Sequence, residues 1–290
     1  MDRRTLLKTA MLGASALALR PVFARTSLEA DVEARLAALE RKHGVRLGAA
    51  ILDTGNGRRY GHRADERFLM CSTFKVLAVS AILARVDQGA ERLDRRVVYG
   101  QDVVLSWAPV TGHHVGAPGM SVAELCQAAI TVSDNTAANL LLASMGGPSA
   151  VTALVRRLGD PLTRLDRTEP TLNDGAPGDM RDTTTPNAML GDLRALLLGD
   201  ALSAASRDQL AAWMRASSTG LDKLRAGVPA DWQAGDKTGS GAHNETNDVA
   251  IFWPPHRKPL LVTAYLAGST VDAAQRSAML AEVGRIAASV

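Results

Sequence analysis

From residue 27 the apolar positions Leu28, Val32, Leu36 and Leu39 recur at helical spacing, and Gly44 stops the run. This predicts an amphipathic helix over 27–44 with Ser27 as its N-cap. RLGAAILD (46–53) and RRYGHR (58–63) flank Thr54-Gly55-Asn56-Gly57 and read as a hairpin. The pattern then turns helical. Residues 74–89 form one long helix, and 121–130 opens on Ser121 and Glu124, a capping-box pair. Residues 135–147, 148–159, 186–199 and 203–216 repeat the same grammar of apolar periodicity closed by glycine or a polar break. Between them, 160–185 is irregular, rich in charge, and long for a structureless connection, which marks it as a functional loop. Alternating or apolar runs return at 232–239, 247–254 and 259–267, and 273–289 closes as a helix.

Strands at both ends of the chain can pair with each other. The expectation is an α/β (α+β) fold, with a mainly antiparallel sheet flanked by the terminal helices and an all-helical lobe inserted between its halves. The α/β lobe would take 25–66 and 217–290. The helical lobe would take 67–216 and carry the irregular loop at about 164–182.

Composition changes the picture at the N-terminus. Residues 1–24 combine a basic start, an apolar centre and Val22-Phe23-Ala24, which fits a signal peptide cleaved after Ala24. Arg3-Arg4 with the leucines behind them fits a twin-arginine export signal; a general secretory signal with a chance arginine pair is the alternative. Arg3, Arg4, Lys8 and Arg20 against Asp2 account for the formal charge of +3 carried by all 290 residues. The mature chain is then near neutral, which argues against a nucleic-acid partner. No other stretch has the uninterrupted apolar length of a membrane span, and no stable membrane association is expected. Cys71 and Cys126 both fall in helical contexts and read as packed thiols.

Three short motifs carry chemistry only in combination. In Cys71-Ser72-Thr73-Phe74-Lys75, serine and lysine share one helical face at a helix start. The N–H groups there favour a forming oxyanion, and a desolvated lysine could take the serine proton. Alone, the spacing is common and a serine N-cap beside a solvated lysine explains it. Ser133-Asp134-Asn135 lies between helices, where capping is the ordinary role of all three residue types. Lys237-Thr238-Gly239, extended by Ser240 and Gly241, ends a predicted strand and could hold an anion; alone, it reads as a turn. His113-His114 is the only histidine cluster, and adjacent histidines rarely share one metal, so neither metal nor cofactor is expected.

Taken in order, S-x-x-K, S-D-N and K-T-G are the signature of class A β-lactamases and penicillin-binding proteins. The irregular loop adds Glu169-Pro170-Thr171-Leu172-Asn173, similar to the E-x-x-L-N segment of the class A omega loop. The chain therefore resembles a class A serine β-lactamase from about Thr26 to its C-terminus. That resemblance implies a periplasmic monomer that hydrolyses the β-lactam ring of penicillins and cephalosporins through a serine acyl-enzyme, conferring antibiotic resistance. It implies Ser72 as nucleophile and Lys75, Ser133 and Glu169 as proton-transfer groups, with either Lys75 or Glu169 taking the serine proton. It gives Asn173 to the hydrolytic water and the N–H groups of Ser72 and Ser240 to the oxyanion. Trp107, Asn135, Lys237, Thr238, Gly239 and Ser240 would line the substrate site, and Arg167–Asp182 would close the loop.

The pattern also departs from the family. The arginine that many members carry after Glu245 is Thr246 here, and a C-terminal alternative falls on Ser277, next to Arg276. Lys223 matches a third location and is taken as the replacement charge, against the plainer reading that it is simply exposed. The partners that other members supply for cysteines at these positions are Gly241 and Val79, so no disulfide is expected. A cell-wall transpeptidase or carboxypeptidase, a β-lactam sensor and a serine glutaminase share parts of the signature. The Glu169 loop argues against the first and is not needed by the last. A sensor would normally follow a membrane anchor.

Overall fold

The computed structural model describes residues 27–176 and 178–290; the expected export signal lies outside the described residues. Five strands form one antiparallel sheet: β1 (Arg46–Asp53), β2 (Arg59–His62), β3 (Gln233–Ser240), β4 (Thr246–Trp253) and β5 (Leu260–Ala267), in the order β2-β1-β5-β4-β3. Residues from the two ends of the chain meet at its centre, where Ala49 pairs with Ala264. The C-terminal strands thus zip onto the N-terminal hairpin, as the apolar runs predict.

Three of these strands are apolar almost throughout because both faces of the sheet are covered. Alternate residues divide between two cores. Leu47, Ala49, Ile51, Phe252 and Val262 pack under α1 (Ser27–His43) and the C-terminal helix Ala273–Ala288, through Val32, Leu36, Leu280 and Val283. Ala50, Leu52, Val249, Ile251 and Tyr265 point the other way and join the larger helical core. Gly48 sits at a close approach on that side. A Cβ there would lie 2.2 Å from Cε2 of Phe68, whose ring stacks on Tyr265 at 5.9 Å between centroids.

The helical core is built around α2 (Phe74–Asp87), in which every residue from Phe74 to Ala84 is buried. A helix apolar on all sides belongs at the centre of a bundle. Around it lie α3 (Val122–Thr131), α4 (Asn135–Ser144), α5 (Ser149–Arg157), α6 (Pro186–Leu197) and α7 (Ala204–Arg215), and α6 also packs on β1 and β5. Ser121 and Glu124 form the expected capping box, and Asp134 caps α4 by accepting the Ala137 N–H. The irregular loop is anchored at its far end by Leu69↔Thr183 and Phe68↔Thr184. No single helix among the described residues is long and apolar enough to cross a membrane.

Candidate active site

The three motifs and the loop acid converge where the start of α2 meets the edge strand β3. Cys71–Thr73 is a short 3₁₀ turn, so the regular α-helix begins at Phe74, two residues after Ser72. Cys71 is held at φ +46°, a left-handed conformation that is costly for a side chain with a Cβ. Its neighbours enforce it. Asn247 Nδ2 donates to the carbonyls of Leu69 (2.9 Å) and Met70 (3.1 Å). A Cβ on Gly239 would lie 2.8 Å from the Met70 oxygen and 3.2 Å from the Ser72 nitrogen, so only glycine lets β3 pass this close.

Ser72 Oγ donates to Glu169 Oε1 at 3.0 Å, and Lys75 Nζ lies 3.1 Å from the same oxygen. The ammonium also donates to the Ser133 carbonyl (2.8 Å), Ser133 Oγ (3.1 Å) and Asn135 Oδ1 (2.6 Å). Ser133 has φ +58°, and its hydroxyl is shared by a second ammonium, Lys237 Nζ, at 3.1 Å. Burial lowers the pKa of Lys75, opposed mainly by the Glu169 carboxylate. Burial, reinforced by the nearby Lys75 charge, lowers Lys237 to about 7. Behind them, burial raises Asp236 and Asp248, the latter well above the carboxylate range. Two lysines with depressed pKa around one serine hydroxyl can pass a proton at little driving-force cost.

Glu169 is gripped from three sides. Asn173 Nδ2 donates to its Oε2 at 2.5 Å, and Thr171–Asn173 forms a 3₁₀ turn that brings the two together. Asn139 holds its backbone at both ends, accepting the Glu169 N–H (3.0 Å) and donating to its carbonyl (2.8 Å). The loop itself is closed by buried Asp182, which accepts Arg167 Nε (2.6 Å) and the N–H groups of Asp166 (2.7 Å) and Arg167 (2.9 Å). Its carbonyl accepts the Met70 N–H, which ties the loop base to the Ser72 segment. Asp182→Ala strands a guanidinium and two N–H groups, so we expect a loss of about 3–5 kcal/mol. Urea unfolding together with limited proteolysis within 164–182 measures it. An unchanged midpoint with an uncut loop would show that the pair is dispensable.

On β3, the Gly241 N–H bonds the Glu245 carbonyl across the turn to β4. Pairing groups alternate along an antiparallel strand. Ser240 therefore faces away from β4, as does Thr238, whose carbonyl accepts Lys237 Nζ at 2.8 Å. This turns the Ser240 N–H toward the side where Ser72 begins its helix. Trp107, 54% exposed, is tied to the second motif, its carbonyl accepting the Asn135 N–H at 3.0 Å.

Two cations lie near this strand. Lys223 Nζ donates to the Thr219 carbonyl (3.3 Å) and to Asp222 (2.7 Å), while the Thr219 hydroxyl lies 2.7 Å from that of Thr238. Arg276, one residue before the position that alignment selects, donates from Nε to Thr246 Oγ1 at 2.9 Å. Thr246 is the cross-strand partner of Ser240. A guanidinium from the C-terminal helix thus lies against the side chain of residue 246. A motif-based count misses it because helical phase, not alignment, decides which neighbour points at the strand. Asn139, Asn247 and Thr219 are missed for a related reason: each acts on a backbone or a hydroxyl that only the fold brings near. Asn139 alone leaves a trace, one helical turn after Asn135.

Cys71 and Cys126 are buried and unbridged, and burial pushes both thiols up. No group of three or more His, Cys, Asp or Glu side chains suited to a metal occurs among the described residues.

Residues 31–290 match the model of the β-lactamase enzyme family. The chain is 48% identical to β-lactamase AST-1 of Nocardia asteroides, over 98% of this chain and 94% of that one. It is 47% identical to β-lactamase L2 of Stenotrophomonas maltophilia, over 98% and 97%. Among solved structures, an ancestral class A β-lactamase of Gram-negative bacteria superposes with a TM-score of 0.86 at 62% identity, over 88% of this chain and 98% of that one. A putative class A enzyme, PenP of Rhodopseudomonas palustris, superposes at 0.88 and 56%, over 89% and 99%. With sequence, fold and motif order in agreement over nearly the whole length, this chain belongs to the β-lactamase enzyme family, as a class A member.

Proposed function

We propose that this protein hydrolyses penicillins and cephalosporins through an ester on Ser72 and so protects its host from them. The observation that carries this reading is the placement of Ser72 Oγ and Lys75 Nζ within 3.1 Å of one Glu169 oxygen. Ser72 Oγ attacks the lactam carbonyl and gives up its proton to Lys75 or, through a water, to Glu169. The N–H groups of Ser72 and Ser240 hold the oxyanion; losing one such donor costs about 3–4 kcal/mol in comparable acyl transfers. As the C–N bond breaks, Ser133 passes a proton to the ring nitrogen, refilled from the ammonium groups around its hydroxyl. Glu169, with Asn173, then takes a proton from water as it attacks the ester, and Ser72 is released.

Lys237, Thr238 and Ser240 receive the substrate carboxylate beside Gly239. Asn135 binds the side-chain amide and Trp107 borders the cleft. Either Lys223 or Arg276 adds the outer positive charge. Arg276 lies against the cross-strand partner of Ser240, whereas Lys223 is already neutralised by Asp222. We expect Arg276→Ala to raise KM for carboxylate-bearing cephalosporins about tenfold, as loss of about 1.4 kcal/mol would. Lys223→Ala should change it less than twofold. The reverse ranking in steady-state kinetics would return the role to Lys223.

The same reading makes the protein an exported periplasmic monomer, sent by the twin-arginine route, with an α/β lobe over 25–66 and 217–290 and a helical lobe over 67–216. The decisive experiment is turnover of a chromogenic cephalosporin by the purified protein, followed by mass spectrometry. Many turnovers per enzyme with no lasting adduct are expected. A single turnover that leaves a stable adduct on Ser72 would identify a sensor instead.

A further inference from the structure

A cavity of about 1040 Å³ does not open on Ser72, Lys75 or Glu169. It lies behind them, between the far half of the loop, Phe68–Leu69 and the turn that joins β3 to β4. Phe68, Leu69, Met180 and Ala267 supply an apolar wall. Its charged lining is mostly satisfied from within: Arg46 pairs with Glu66 at 2.8 Å, Asp179 with Arg181 at 2.7 Å, and Asp174 faces His243 at 3.4 Å. Arg67 is spent on the Thr183 hydroxyl and the Leu162 carbonyl.

Glu245 is the exception. It is only 9% exposed, lines the cavity, and forms no ion pair among the described residues. Its carboxylate accepts the His243 N–H at Oε2, at 2.9 Å. A buried carboxylate normally has a counter-ion. On the opposite wall the Arg46 guanidinium stands 3.9 Å over the Phe68 ring, so that ring's cation-binding face is already taken and Glu245 is the charge left for an occupant. The other three lining carboxylates, Glu66, Asp174 and Asp179, each already face a basic side chain, which leaves Glu245 as the carboxylate open to an added cation.

We propose that this cavity is a second ligand site, separate from the serine cleft, for a small organic cation with an apolar body. The ammonium sits against Glu245 and the body packs on Phe68, Leu69 and Met180. An occupant there lies directly behind the machinery. A Cβ on Gly241 would be 2.2 Å from Glu245 Oε2 and 3.0 Å from Cys71 Sγ, so the carboxylate borders the residue before the nucleophile. The Ala242 N–H also bonds the Asn173 carbonyl at 3.3 Å, which joins the same turn to the water-binding loop.

The test is a titration of the full protein with 3-phenylpropylammonium, read on the methyl resonances of Leu69, Met180 and Ala267. Saturable shifts at these methyls are expected, with affinity about tenfold lower in Glu245→Gln, the ratio that about 1.4 kcal/mol of charge contact produces. The anion 3-phenylpropanoate should bind more weakly than the cation to the wild type. Ala267→Phe, which fills a partly exposed wall position, should abolish the shifts at Leu69 and Met180, and it carries the test if Glu245→Gln does not fold. Absence of saturable shifts, equal affinity for the anion, or unchanged affinity in a folded Glu245→Gln or Ala267→Phe protein would each overturn the proposal.

Discussion

Glu169→Ala should convert the protein from a catalyst into an acyl trap. The carboxylate makes no contribution to the covalent framework of the acyl step. It is held at 3.0 Å from Ser72 Oγ, with its second oxygen fixed by Asn173. That is where a base must stand to take a proton from water attacking an ester on Ser72. Deleting it leaves the loop closed, because Asp182 grips Arg167 and Asn139 grips the backbone of residue 169, not its side chain. Ester hydrolysis should therefore slow by about 10²–10⁴, the range for removal of a positioned base, while the ester still forms. Intact-protein mass spectrometry after mixing with a penicillin should show the mass of the drug added and retained for minutes. Wild-type turnover in the variant would mean that another group activates the water. Failure to form the ester at all would mean that Glu169 also serves as the obligatory base for Ser72.

The parts of this site that could be read from the chain are those that depend on local spacing. Ser72 and Lys75 are three residues apart where a 3₁₀ turn runs into a helix, Glu169 and Asn173 one turn apart in one loop, and Lys237 to Ser240 lie on one strand, so neighbouring residues imply geometry directly. The fold was legible for a similar reason. Apolar periodicity gives helix and strand with little ambiguity when runs are long and closed by Gly or Pro, and a sheet buried on both faces leaves continuous apolar strands. What stayed hidden depends on contacts between different elements of the fold. Nothing near Asn247 announces that its amide clamps the carbonyls of Leu69 and Met70. Nothing near Cys71 announces φ +46° in a side chain that is not glycine. Arg276 shows the limit most sharply. Its neighbour Ser277 occupies the aligned position but is buried within the C-terminal helix, and the side chain that reaches Thr246 is the one a single residue earlier.

These hidden contacts share one function, which is to hold Ser72 still. The turn before the nucleophile is in a conformation that costs about 1–3 kcal/mol and persists only where its surroundings over-determine it. Asn247 from β4 holds the carbonyls of Leu69 and Met70, the Asp182 carbonyl from the loop holds the Met70 N–H, and Gly239 lets β3 close over the same turn. The Ser72 turn, the strand that carries Lys237 to Ser240 and the loop that carries Glu169 are thereby joined, although they come from three separate parts of the chain. Pre-organisation of this kind is what lets hydrogen bonds stabilise a transition state without reorganisation during reaction.

Lys75→Ala and Lys75→Arg together should separate the two candidate acceptors of the Ser72 proton. Lys75 is fully buried and has four oxygen partners, of which Glu169 is one. Burial lowers its pKa, so its neutral, proton-accepting form is more populated at a given pH than for a solvated lysine. If that form takes the serine proton, wild-type acylation should rise with pH through the depressed pKa and level off above it. Removing the amine should slow acylation by about 10²–10⁴. Arginine keeps the positive charge beside Glu169 and Ser133 but does not release its proton in this pH range. It should therefore be nearly as slow as alanine and should lose the rise with pH. Stopped-flow acylation with a chromogenic cephalosporin gives both quantities, and melting temperatures measured in parallel identify any variant that has failed to pack the buried site. Substantial acylation by a well-folded Lys75→Arg protein, still rising with pH, would assign the proton to Glu169 through water. The ammonium of Lys75 would then act by its charge alone, holding Ser133 and Asn135 in register around the substrate.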